Sequence, residues 1–172
     1  LVKYIMRQDT GTKEMQEISN AIRVGANAFL KRQYTTIAVL SIILAIILLG
    51  VYALFGKTSL GILTATAFIF GAFCSALAGF IGMWISVRAN IRTASASKVS
   101  MKKALLIAIR AGAVSGITIV TLSLLGILVL YYLYGIGQDP KAIPSLLVGY
   151  GFGASFVALF AQLGGGIYTK GA

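Results

Sequence analysis

Four stretches without a single charged residue dominate this chain: residues 33–56, 58–87, 111–138 and 142–169. A helix rises about 1.5 Å per residue, so about 20 apolar residues cross a hydrocarbon layer roughly 30 Å thick. Each stretch clears that length. None alternates polar and apolar residues, as the roughly ten-residue strands of a membrane barrel do. The expected fold is therefore all-α, a polytopic transmembrane helix bundle with four complete spans. Composition agrees, with 58% of residues hydrophobic and 11% charged. A soluble domain carries about a quarter charged residues, and a chain this apolar could not cover its surface without lipid.

Lys and Arg set the orientation. Lys3, Arg7, Lys13, Arg23, Lys31 and Arg32 precede the first span, and only Lys57 follows it. Arg88, Arg92, Lys98, Lys102, Lys103 and Arg110 fill the next connection; Asp139 and Lys141 occupy the one after. Cytoplasmic connections are the basic ones. The alternation places the start of the segment, the 88–110 connection and the Lys170 end in the cytoplasm. The net charge of +11 would suggest nucleic acid in a soluble protein. Here the cations sit between apolar runs and form no continuous basic face, so nucleic acid is excluded and the partner is the lipid bilayer.

Residues 1–172 read as one bundle segment. Residues 1–11 resemble the end of a helix and a loop, with further chain expected before Leu1 and after Ala172. Residues 12–56 form an amphipathic helix running into the first span: Met15, Ile18, Ile22, Gly25 and Phe29 recur at helical spacing, and Lys13, Glu14, Glu17 and Arg23 avoid that stripe. The second span is 58–87, followed by the 88–110 connection, where Met101, Leu105 and Ile109 resume helical spacing, so the spans are expected to protrude as long helices on the cytoplasmic side. The remaining spans are 111–138 and 142–170. Pro140 and Pro144 fall at the start of the last, where a missing N–H costs least. Cys74 is the only cysteine and histidine is absent, so a disulfide, a His-based metal site and a His general base are all excluded within this segment.

Small residues mark candidate helix contacts: Gly71, Ser75 and Gly79; Gly112 and Gly116; Gly149 and Gly153. In lipid such stripes let backbones approach closely, replacing the missing hydrophobic drive. Gly164-Gly165-Gly166 is different, because each glycine costs a helix about 1 kcal/mol against alanine. Two readings stand: helix packing, or a place needing room for a ligand, with Lys170 at its edge. No span contains a carboxylate, the usual mark of an ion path. Gln162 is the most polar residue deep in the last span. It reads either as a hydrogen bond to a neighbouring helix or as part of an ion path.

Several segments together resemble the membrane-bound, ion-translocating inorganic pyrophosphatases. They are Met15 through Ile22, Gly25-Ala26-Asn27-Ala28-Phe29-Leu30 with Gln33-Tyr34, and Gly79-Phe80-Ile81-Gly82-Met83. Arg88-Ala89-Asn90-Ile91-Arg92-Thr93-Ala94, Gly151-Phe152-Gly153-Ala154-Ser155 and Ala158-Leu159-Phe160 follow, and Gly164-Gly165-Gly166-Ile167-Tyr168-Thr169-Lys170 is the most specific. The resemblance covers nearly the whole chain in order. It implies the N-terminal portion of a subunit of about sixteen helices, forming homodimers.

What the resemblance implies is a pump coupling Mg2+-dependent hydrolysis of pyrophosphate to H+ or Na+ translocation, with K+ as a further candidate cofactor. It makes Lys170 a substrate-binding lysine, and an ammonium is a compact phosphate partner. The catalytic and metal-binding carboxylates would lie beyond Ala172, leaving none in this segment. Gln162 stands where many members carry an arginine of the ion gate. It keeps hydrogen bonding but lacks the fixed charge, which departs from the family's pattern. Two other readings of the residues remain: a transporter or channel segment without hydrolysis, and a noncatalytic membrane assembly subunit.

Overall fold

The computed structural model describes residues 1–135 and 143–171, with side chains except at 145, 146 and 168–171. Five helices follow in order: α1 (Val2–Met6), α2 (Lys13–Leu54), α3 (Thr58–Ser97), α4 (Met101–Gly135) and α5 (Ile143–Gly171). Among the described residues there is no strand. At 42, 40 and 35 residues, α2, α3 and α4 are about 50 to 60 Å long at 1.5 Å per residue, well beyond one hydrocarbon thickness. Lys13–Leu54, Thr58–Ser97, Met101–Gly135 and Leu147–Ile167 are each long and apolar enough to cross a membrane.

The helix ends follow from local chemistry. Gly56 takes φ +69°. Its N–H bonds Ala53 O and the Lys57 N–H bonds Tyr52 O, the paired bonds that close a helix on a left-handed glycine. Ser100 caps α4, accepting the Lys103 N–H on its hydroxyl at 3.4 Å. The α3–α4 link is thus only residues 98–100. Charge ends the apolar span at Val87, yet the helix continues ten residues further to Ser97.

The chain divides into two compact units. The first comprises 1–32 and 78–120. Ile5, Ile85 and Ile107, fully buried, pack with Ala89, Ala96, Ala104 and Ala111. Polar side chains surround this core. The Arg88 guanidinium lies 4.2 Å over the Trp84 ring and donates to Trp84 O. That of Arg110 lies 3.7 Å over the Tyr4 ring. The turn into α2 is held by Asp9: its carboxylate accepts the Gly11 N–H and the Ser95 hydroxyl, while Gly11 adopts φ +71°. These two donors, Ser95 first, hold the Asp9 carboxyl below its ordinary value. Ile18 and Ile22, part of the expected apolar stripe, stay exposed and edge an open groove with Val87 and Ile91. The buried face of this part of α2 is instead Ala26 and Leu30.

The second unit comprises 33–77 and 121–172. Its core has two parts. Ala67, Cys74, Leu130, Tyr134 and Tyr150 form one; Ile37, Ala72 and Val157 form the other, with Tyr34, Phe160 and Ala161 packed against it. Phe68, with no exposure, lies between the rings of Phe152 and Phe156 at centroid distances of 5.5 and 5.7 Å, in tilted geometry favourable for aromatic pairs.

Candidate functional site

Within the second unit, α5 is seated on α3 by glycine. A Cβ at Gly149 would lie 2.7 Å from Thr64 O and 3.2 Å from the Ala67 Cβ. One at Gly153 would collide with Phe68 O, and one at Gly71 with Tyr150 O. Backbone meets backbone there, so no side chain can rotate aside. The Tyr150 hydroxyl donates to Leu122 O at 3.0 Å, and its ring fills the space left by Gly126. Tyr134 donates to Leu63 O at 2.7 Å and sits 2.9 Å from the Thr66 hydroxyl. Each buried phenol thus has a partner, as low-polarity surroundings require.

Further along α5 the packing changes partner. Val157 is buried with Ile37, and one turn later the Gln33 amide donates to Phe160 O at 2.7 Å. The amide occupies space that a side chain at 164 would need. A Cβ on Gly164 would lie 2.6 Å from the Gln33 Cδ and Nε2. At Gly165 and Gly166 a Cβ would meet none of the described residues within 4 Å. The three glycines are therefore not equivalent: the space at the first is filled by the Gln33 amide, whereas a Cβ on the next two meets none of the described residues. Lys170 follows in the last turn of the helix, with its side chain outside the described residues.

Gln162 is exposed. With Leu159, Leu163, Gly166 and Ile167 it lines an open hollow of about 500 Å³. All five lie on α5, so the amide points away from the neighbours of α5 in this unit, and it bonds none of the described residues. Of the other small residues singled out by spacing, Ser75 is half-buried and Gly79 exposed. At Gly112 and Gly116 a Cβ would meet nothing within 4 Å.

Gln33, which the sequence offers only as part of a stretch resembling the family, and Asp9 carry interactions that no spacing announces. Their only signal is local. Gln33 is the first uncharged polar residue after Lys31-Arg32, and Asp9 precedes Thr10-Gly11, a turn-forming sequence. No three of His, Cys, Asp and Glu come together among the described residues. These side chains do not fit a divalent-cation cage, which needs several oxygen ligands on one ion.

Long apolar helices, basic connections and a glycine-seated span define a segment of a polytopic helical membrane protein. The family model described as inorganic H+ pyrophosphatase matches residues 1–172, and the chain belongs to that family. It is 52% identical to the K(+)-insensitive pyrophosphate-energized proton pump of Caldanaerobacter subterraneus subsp. tengcongensis, over 100% of this chain and 26% of the relative. It is 54% identical to the K(+)-insensitive pyrophosphate-energized proton pump 2 of Moorella thermoacetica, over 98% of this chain and 24% of the relative. Pyrophosphate-energized membrane proton pump 3 of Arabidopsis thaliana matches at 46% identity, over 100% of this chain and 24% of the relative. The chain thus spans about a quarter of the length of these curated relatives.

Proposed function

We propose that the full-length protein couples hydrolysis of inorganic pyrophosphate to movement of H+ across the membrane. The observation that carries this is the match along all 172 residues, through the Gly164–Lys170 run, to relatives named as pyrophosphate-energized proton pumps. Two relatives named K(+)-insensitive, at 52% and 54% identity, favour activity without K+. Magnesium neutralises pyrophosphate charge when bound. The family resemblance places its Mg2+ ligands beyond Ala172, and that placement is part of the proposal.

The residues present would take the following parts. Lys170 supplies an ammonium to a phosphate oxygen. Gln162 presents a neutral amide on the open face of α5, where it donates and accepts hydrogen bonds along an ion path without adding a fixed charge. The apolar spans insulate that path from lipid. The segment's start, the 88–110 connection and the Lys170 end lie in the cytoplasm, where pyrophosphate is available. Two copies assemble as a homodimer.

Membranes bearing the full-length protein test the reading. Phosphate release from pyrophosphate is expected with Mg2+ and not without it, unaffected by added K+ and accompanied by proton uptake into sealed vesicles. Hydrolysis without proton uptake, retained in sealed vesicles, would leave a diphosphatase that moves another ion, Na+ first. Absence of hydrolysis in folded, inserted protein would favour a transporter or an assembly subunit. Lys170→Ala is expected to weaken pyrophosphate binding; unchanged affinity and turnover would remove Lys170 from the site.

A further inference from the structure

Gln33 and Gly164 are a matched pair across two helices. The amide donates to Phe160 O at 2.7 Å, and it rests where position 164 has no side chain. In a helix the Phe160 carbonyl also faces the N–H of residue 164. A carbonyl oxygen has two acceptor sites, so the amide adds a second bond to this turn without breaking the ladder. Immediately beyond, the helix runs through the glycines on to Gly171. Three adjacent glycines forgo the conformational restriction a side chain gives, and Cβ positions at 165 and 166 meet none of the described residues within 4 Å. The end of α5 carrying Lys170 lies less than two turns past Gly164, at about 3.6 residues per turn. Its direction is governed by whatever fixes the turn before the glycines.

We propose that Gln33 is a positioning residue for Lys170: by pinning the Phe160 turn at the edge of the glycine run, it sets the base from which the end of α5 presents its lysine to pyrophosphate. The proposal rests on the pyrophosphatase reading above. Gln33 touches no substrate in this scheme and acts only through α5. Without the pin, the binding-ready direction of the helix end is a smaller fraction of its states. Apparent affinity falls by that fraction, while turnover of bound substrate is little changed.

The experiment uses the full-length protein in membranes and Mg2+-pyrophosphate as substrate. Gln33→Met keeps the bulk and removes the donor. It is expected to raise KM about three- to tenfold, the weight of one hydrogen bond, with kcat and Tm nearly unchanged. Gly164→Ala places a methyl group against the amide and should raise KM to a similar extent. Because both act on one contact, Gln33→Met combined with Gly164→Ala should be no worse than the poorer single variant. An unchanged KM in Gln33→Met overturns the proposal, as do single-variant effects that multiply in the double. A fall in kcat and Tm alongside the rise in KM would mark Gln33 as ordinary packing and overturn it too. Wild-type protein without hydrolysis would instead sink the pyrophosphatase reading itself, and the positioning role with it.

Discussion

The two units solve the same problem, holding long helices together, with opposite chemistry. The unit of residues 1–32 and 78–120 holds all but three of the chain's 15 Lys and Arg, the others being Lys57, Lys141 and Lys170. Its contacts are side-chain contacts: isoleucines in a small core, guanidiniums over rings, and a carboxylate holding a turn. The unit of residues 33–77 and 121–172 has few charges, and its α3–α5 contact is made by backbone against glycine. At the charged helix ends of the first unit water competes for polar contacts, so many modest interactions are needed there. In lipid, apolar side chains gain nothing by leaving the solvent, and close approach of backbones does the work. Substitutions should therefore cost most where backbone meets backbone.

Gly153→Val is the severest test of that difference. Its Cβ would collide with Phe68 O and crowd the Ala72 N–H, and neither can rotate away. A loss of about 3 kcal/mol is expected, the upper range for overpacking, seen as a large fall in Tm of the detergent-solubilised full-length protein. A variant as stable as wild type would mean that α5 does not seat on α3 this closely. In the charged unit, Ile107→Val trims one methyl from a side chain with no exposure. About 1 kcal/mol should be lost, measured the same way. A loss as large as that of Gly153→Val would erase the contrast between the units.

Gly112→Ala probes the opposite case. It has the spacing of a packing glycine, yet a Cβ there meets nothing within 4 Å. Alanine should be neutral or stabilising by up to about 1 kcal/mol, the helix-propensity difference. Clear destabilisation would mean that another part of the full-length protein packs on this face of α4.

That pair of glycines shows what a sequence of this kind conveys. Spacing by four marks both Gly112–Gly116 and Gly149–Gly153, but spacing does not encode which helix lies opposite, and only the second pair meets α3. The four spans were legible because lipid demands long uncharged runs. Charge bounds the second span at Val87, and its helix runs on past the membrane to Ser97 as the spacing beyond the charges predicts, with Arg88 and Arg92 donating to carbonyls one turn back. Around Lys170 the glycine run stood out, while Gln33 drew no notice as a chemical group. A lone amide 127 residues away from its partner in sequence leaves no periodic trace.

The smallest expected effect is at Asp9, and it separates local order from global stability. The carboxylate is exposed to solvent, and its bonds to Ser95 and Gly11 hold its ionisation below the usual carboxylate range. A depressed pKa means that the charged form is the one the fold favours. The ordering it provides is therefore present throughout neutral pH and is lost only as pH falls through that depressed value. Amide exchange at Gly11, whose N–H bonds the carboxylate at 3.0 Å, should stay protected from neutral pH down past the ordinary Asp value of 3.8. Asp9→Ala should remove the protection at every pH and open the chain to trypsin after Arg7 and Lys13, with Tm unchanged. Protection that fades well above the ordinary Asp value would show that another group holds this turn. A lowered Tm in Asp9→Ala would mean that a single exposed carboxylate bears on the whole charged unit, which its isoleucine core should prevent.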